Sequence, residues 1–551
     1  MTDKISQVSP PRSGFRLDPW SVGALALACL VLAPIMAVVW IALNPSDNIW
    51  PHLMVTTLPR YLENTAILTL STGLLAAVTG TVTAWLTAMY RFPLSGFFNW
   101  ALLLPLSVPA YVGAYAIVDL LEYAGPVQTG LRAAFGWSSA QDYWFFEVRS
   151  RGMATIVLAA ALFPYVYLLA RAAFREQAGE TLEVARALGS GPVARFLRIG
   201  LPLARPAIAA GTAIVMMETL SDFGVVEYFA VQTLTTGIFS VWLESYNAGG
   251  AAQIASLVLI FVLLLAGLEK AGRARMRFFR LSRQSRPILR TELGTGAGIA
   301  AMLVCLVPFL VGFVLPAGVI GLHALERPQA WADPELLRAL RTTIWVAGLA
   351  ALLTVTAALF MVYGVRLSGH ALPRKLLPVT TIGYAAPGAV LGIGILIPLS
   401  FLDHGLADLV LAVTGYDPGL LLTGSAFAVI LAYMVRFFAI GQGAVDAAMD
   451  RISPSMPMAA RSLGRSASGT LRAVYLPLIR GSMGTALLLV FVDCLKELPA
   501  TLLLRPFNFS TLATRVYDQA SLENLTDASP AAMMVMAVAL FAVLLLARTN
   551  R

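Results

Sequence analysis

The chain is written in long apolar runs separated by short polar, arginine-rich stretches. Runs of about 20 apolar residues match the length of a helix that crosses a hydrocarbon core. The pattern predicts twelve spans, near 20–43, 65–90, 98–121, 152–172, 206–226, 252–268, 297–322, 342–365, 376–402, 419–439, 482–503 and 530–547. Prolines at 105–109 and 378–387 fall inside two of them and predict kinks or breaks there. The first run, 21–43, follows a basic start and is longer than a signal-peptide core, so it reads as an uncleaved span. The fold class expected is all-α integral membrane.

The polar stretches show a second period. EVARALGSGPVARFLRIGLP (Glu183–Pro202) and MAARSLGRSASGTLRAVYLP (Met458–Pro477) place Gly189 and Gly464, and Pro202 and Pro477, 275 residues apart. At the same offset Glu218 meets Asp493, Asp222 meets Glu497 and Thr236 meets Thr511. Asn64-Thr65 meets Thr342-Thr343 at 278. The expected organisation is two six-span halves, 1–268 and 297–551, joined by a basic linker at 269–296. An even span number gives both halves one orientation, so they are parallel repeats around an axis along the membrane normal.

Composition fits this reading. Of 551 residues 58% are hydrophobic and 13% charged, against about 25% charged in soluble domains. The net charge of +9 follows from topology: 29 of the 39 Lys and Arg residues fall on one side if the termini, the linker and both quoted loops share it. Arg436 is counted in that set, with the second loop. The basic side is the cytoplasmic one, and no nucleic-acid partner is needed to explain the charge. The three cysteines and four histidines are scattered and suggest neither a disulfide framework nor a metal cluster.

In each quoted loop a helix-forming stretch ends at a glycine suited to the left-handed closing position. A second short helix then begins, at Pro192 in the first copy, and leads to Leu-Pro. Ala185 and Ala187, like Ala459 and Ala460, offer a small-residue face to a partner. An ordinary solvated loop explains one such segment but not its recurrence at fixed spacing.

The spacing resembles the EAA loop of ABC-type importer permeases. Glu183, Ala185, Gly189, Ile199, Leu201 and Pro202 carry it in the first copy, within 177–205. Ala459, Ala460, Gly464, Leu476 and Pro477 carry it in the second, within 452–480, where Met458 replaces the acidic residue. METLSDFGVVEYFAVQTLTTGIFSVW (217–242) and KELPATLLLRPFNFSTLATRVYDQA (496–520) resemble the fused ferric-iron (Fe3+) importer permeases. The resemblance implies a bacterial inner-membrane permease subunit with both termini cytoplasmic. It also implies two copies of a cytoplasmic ATP-binding subunit docked on the loops, and a periplasmic substrate-binding protein. This chain binds no cofactor on that reading. Its four lysines, preceded by Asp3, Glu269, Arg374 and Leu495, cannot supply a Gly-Lys phosphate loop, so ATP and magnesium belong to the partner.

Ionisable residues inside spans are costly and face cavities or each other. Glu218 and Asp222 in the fifth span, and Asp493, Lys496 and Glu497 in the eleventh, are candidates for a cation path. A hard trivalent ion prefers such oxygen ligands. Alternatively, Lys496 pairs with one or two carboxylates and locks the helices. No stable metal site and no catalytic group are expected. Another substrate on the same machine, such as thiamine or a polyamine, and a twelve-span secondary transporter are the alternative functions. Reporter fusions test the orientation: fusions after Arg280 and Arg548 should behave as cytoplasmic and one near Asn247 as periplasmic, and the reverse at any site overturns the span count.

Overall fold

The computed structural model describes residues 19–177, 179–274, 290–368, 376–377, 379–380, 383 and 386–549. Most of the predicted linker, including 275–289, lies outside them. Among the described residues, eleven helices are long and apolar enough to span a membrane, and a twelfth candidate is a pair bent by 92°, Ser95–Ser107 with Ala110–Phe135. The predicted span at 98–121 is therefore broken. Val108 precedes Pro109 and is extended (φ −96°, ψ 115°), because the proline ring excludes the helical region for its predecessor. Pro109 then caps the next helix with ψ 137°, and Pro387, 278 residues on, caps Gly388–Thr414 with ψ 148°. The two proline-bearing spans are thus one element seen twice. The ninth span lies at Gly388–Thr414 rather than 376–402, and the tenth at Phe427–Asp450 rather than 419–439.

The eleventh span ends early. Ala467–Leu495 runs as one helical rod and stops at Lys496, and a separate six-residue helix, Pro499–Leu504, follows and packs on Gly388–Thr414 and Phe427–Asp450. The fifth span behaves alike: Pro192–Ser221 stops at Asp222, and Gly224–Tyr228 follows as a short helix.

Each half's opening helix lies on the other half. Pro19–Leu43 packs against Pro334–Ser368 and Gly388–Thr414. Trp20 stacks on Phe360 at 4.9 Å and meets Tyr363 edge-on at 5.2 Å. A side chain at Gly394 would strike the carbonyl of Pro34. In return Leu310–Glu326 packs on Ala110–Leu121 and Arg151–Arg175. There a side chain at Gly312 would strike the carbonyl of Ala160, and His323 Nε2 lies 2.9 Å from Asp119 Oδ2. Outward positions such as Leu70, Leu74, Leu263 and Leu264 stay exposed and apolar, as lipid-facing positions do.

The halves share hydrogen-bond detail. Leu234 N donates to Thr65 Oγ1 at 2.9 Å, and Leu512 N to Thr343 Oγ1 at 2.8 Å. Capping boxes join Thr233 to Thr236 and Thr511 to Thr514. These pairs correct one correspondence: Thr236 matches Thr514, at 278, and Thr511 matches Thr233. Three extra residues enter the second half between Glu497 and Thr511, so the offset changes from 275 to 278.

These threonines pin the segments after the short helices to the second span of each half. Thr65→Val and Thr343→Val should each cost about 1–3 kcal/mol, because a buried N–H loses its acceptor. Thr→Ser should be nearly neutral. Thermal unfolding in detergent checks this, and equal melting of the Val and Ser variants would refute it.

Candidate functional site

The two loops repeat one backbone design. In the first, Ser190 N donates to Ala185 O at 2.9 Å and Gly189 N to Arg186 O at 3.0 Å. In the second, Arg465 N donates to Ala460 O at 3.1 Å and Gly464 N to Arg461 O at 3.0 Å. This is the paired closure of a helix end around a left-handed residue. Gly189 has φ 78° and Gly464 φ 80°, and neither is crowded. Backbone conformation, not space, requires glycine there. Pro192 opens the following turn as expected, while Ser466 caps it in the second copy through Gly469 N at 3.1 Å. A five-residue π-helical stretch then leads into the span at Phe196–Gly200 and again at Leu471–Tyr475. Leu201 and Pro202, and Leu476 and Pro477, begin the regular helices. Glu183 is exposed on the first helix. Leu188 and Leu463, equivalent positions, are each 82% exposed.

The five charged candidates come together. Glu218, Asp222, Asp493, Lys496 and Glu497 all line one cavity of about 130 Å³ between the halves. That volume holds several waters. Equivalent residues face it from both sides: Glu218 and Asp493, Ser221 and Lys496, Asp222 and Glu497, and Ala161 and Arg436, each 275 apart. The cavity therefore lies on the pseudo-twofold axis.

Two of the carboxylates also hold the backbone. Asp222 Oδ1 accepts from Val225 N at 2.9 Å and Val226 N at 3.4 Å. Glu497 Oε1 accepts from Ala500 N at 3.1 Å. These are the open N–H groups of the two short helices, which carry no partner within their own turn. Thr501 Oγ1 adds a bond to Glu497 O at 2.9 Å and pairs with Tyr433 OH at 2.6 Å.

Sequence reasoning missed Arg436. It belongs to the buried face of Phe427–Asp450, not to the loop with which it was counted. Its Nε lies 2.9 Å from Glu497 Oε2, with the two side chains 9% and 5% exposed, and its Nη1 donates to Ala386 O at 3.2 Å. The missed signal was a single arginine inside an apolar helical run. The expected role of Lys496 changes accordingly. Its ion pair is with Asp493, at 3.1 Å, three residues earlier on the same helix, with Glu218 and Tyr165 as further charged or polar neighbours. The lock between helices is Arg436–Glu497. Four carboxylates against two cations leave the cavity with two negative charges when all are ionised. Among the described residues, no three His, Cys, Asp or Glu side chains converge as metal ligands.

Arg436→Met should cost about 3–5 kcal/mol by stranding Glu497. Arg436→Met with Glu497→Gln should recover most of it, because the amide still accepts from Ala500 N. Lys496→Met should be milder, since Lys496 and Asp493 are each about a quarter exposed to the cavity. Melting temperature and yield of folded protein distinguish these, and an unrescued double variant would reject the lock.

The family described as "Binding-protein-dependent transport system inner membrane component" matches residues 76–278. Similarity to individual proteins extends further. The chain is 26% identical over 478 residues to the Fe(3+)-transport system permease protein FbpB 2 of Haemophilus influenzae, covering 86% of this chain and 87% of that protein. It is 23% identical to the ferric transport system permease protein FbpB of Actinobacillus pleuropneumoniae, over 81% of this chain but only 64% of that protein. The sulfate transport system permease protein CysT of Salmonella typhimurium is 25% identical over 44% of this chain. Residues 76–278 thus carry the domain of a binding-protein-dependent transport system inner membrane component, and the chain as a whole, with its spans, paired loops and axial cavity, is similar over most of its length to ferric transport permeases.

Proposed function

We propose that this chain imports ferric iron, delivered by a periplasmic binding protein, through the axial cavity into the cytoplasm. Two copies of an ATP-binding subunit, which hold the ATP and magnesium, dock on the two loops and drive it. The halves are 1–268 and 297–551, the linker at 269–296 and both termini are cytoplasmic, and Leu188 and Leu463 enter the partner's surface.

The observation that carries the substrate is the excess of carboxylates over cations around the axial cavity. An oxygen-lined, negatively charged space suits a hard trivalent cation. The long match to a Fe(3+)-transport permease supports the same reading. The sulfate relative raises an anion as the alternative, and Arg436 and Lys496 are the side chains that would serve it. Arg436, however, is engaged by Glu497 and Lys496 by Asp493. Because carboxylates outnumber cations there, a dianion would meet net repulsion.

Glu218→Gln with Asp222→Asn tests the substrate. Both replacements keep an oxygen acceptor, so the amide at position 222 can still accept from Val225 N. Removing two negative charges should lower iron uptake by about tenfold, equivalent to about 1.4 kcal/mol of lost attraction. Yield and co-purification of the ATP-binding subunit should be unchanged. Unchanged iron uptake in correctly assembled protein would reject the acidic path, and raised sulfate uptake would favour the anion reading.

A further inference from the structure

A second charged group lies outside the cavity lining, at the loop-bearing end of the first half. The helix Leu58–Met89 ends in Tyr90–Arg91, which pairs in parallel with Thr291–Glu292. Leu293 N donates to Arg91 O at 3.0 Å. This two-residue ladder brings Arg290 to the end of the second span. Arg171 and Arg175 occupy the last turns of Arg151–Arg175, which packs along the same span. The charges of Arg171, Arg175 and Arg91 all act on Arg290. Burial, then repulsion from Arg171 and Arg175, holds the Arg290 guanidinium below its usual value.

Little nearby neutralises these charges. Among the described residues the only ion pair of the four is Arg91 with Glu292, at 3.8 Å, and both side chains are mostly exposed. Arg171 meets neutral groups: Asn99 Oδ1 at 2.9 Å, Asn99 O at 3.4 Å and the Tyr167 ring at 5.8 Å. Its buried Nε has no acceptor. Glu176, next to Arg175, forms no ion pair with any of the four among the described residues, and residues 270–291 contain eight Lys and Arg and no carboxylate. Unfavourable clustering of this kind indicates an anion that is not part of the chain.

The position selects the kind of anion. All four arginines lie at or within a few residues of the ends of membrane-length helices or of the strand pair that follows them, and the ends of such helices are where headgroup phosphates are met. Pro93 packs on Gly298, and beside that contact Leu94 and Ile299 remain exposed and apolar. A lipid satisfies both requirements, with its phosphate on the arginines and its acyl chains on the leucine and isoleucine. Guanidinium forks match phosphate oxygens in pairs, and basic pockets between span ends on the cytoplasmic side hold anionic headgroups. We propose that Arg91, Arg171, Arg175 and Arg290 form a binding site for the phosphate of an anionic phospholipid. The site abuts the first coupling loop: Gln177 Nε2 donates to Gly200 O at 3.0 Å, and Trp85 contacts both Phe174 and Phe196. A bound lipid therefore braces the base of that loop.

The test uses the full chain assembled with its ATP-binding subunit in nanodiscs of phosphatidylcholine. Phosphatidylglycerol is titrated in, and native mass spectrometry counts the lipids retained. Each arginine removed should weaken retention about fivefold, and Arg91→Gln, Arg175→Gln and Arg290→Gln together about a hundredfold. Arg290→Lys should keep most of it. Arg91 and Arg175 are exposed, so the triple variant should melt like the wild type. Should it fail to fold, the single Arg290→Gln variant carries the fivefold expectation. Wild-type retention in the folded variant overturns the proposal. Displacement by inorganic phosphate as effective as by phosphatidylglycerol would mean a soluble-anion site and also overturns it. Loss of the ATP-binding subunit with lipid retention intact would reassign the arginines to that interface.

Discussion

Hydrocarbon offers no partner to a backbone N–H, so a helix can break at membrane depth only where protein or trapped water replaces the missing bonds. The fifth and eleventh spans both break in this way, and the geometry of the centre follows from how they do it. Asp222 and Glu497 take the N–H groups of the short helices that follow. A carboxylate used as a cap must sit at the break, and the breaks face each other across the axis. The acidic cavity is therefore a product of helix termination as much as of any demand from a substrate. Glu497 is in turn held by Arg436, which reaches it from the neighbouring helix and ties itself to Ala386.

The loops were the most legible part of the chain. A helix that ends at a left-handed residue has few sequence solutions, and Gly189 and Gly464 adopt one at 275 residues' separation. The candidate pathway residues were legible for a similar reason: charge inside an apolar run is costly, so Glu218, Asp222, Asp493, Lys496 and Glu497 stood out, and they do share a cavity. Arg436 obeyed the same logic but was counted with a loop, because it fell in the last turn of the expected tenth span, 419–439, whereas the helix runs Phe427–Asp450 and buries it midway. The ninth span was also expected too early, because the segment before Pro387 reads as apolar span and the regular helix starts only after that proline. The register slip from 275 to 278 was hidden because two threonines stand three apart in each copy, so either pairing matches in letters. Hydrogen bonds to Thr65 and Thr343 decide between them.

The arrangement of the opening helices bears on stability. Each lies across the partner half, with backbone approaches so close that Gly394 and Gly312 admit no side chain. Neither half buries its own surface completely, and the contact between them is a continuous core rather than a docked interface.

The cavity lining is symmetric in place but not in charge. Where the second half presents Arg436 and Lys496, the first presents Ala161 and Ser221. A channel made from two identical chains must carry every lining residue twice, so an arginine on one side brings an arginine on the other. Two such arginines and two such lysines would cancel all four carboxylates. Covalent fusion lifts that restriction. Once the halves are separate stretches of one gene, one can present acids alone while the other acquires the cations that hold it rigid, and a net charge becomes available that no homodimer of either half could reach.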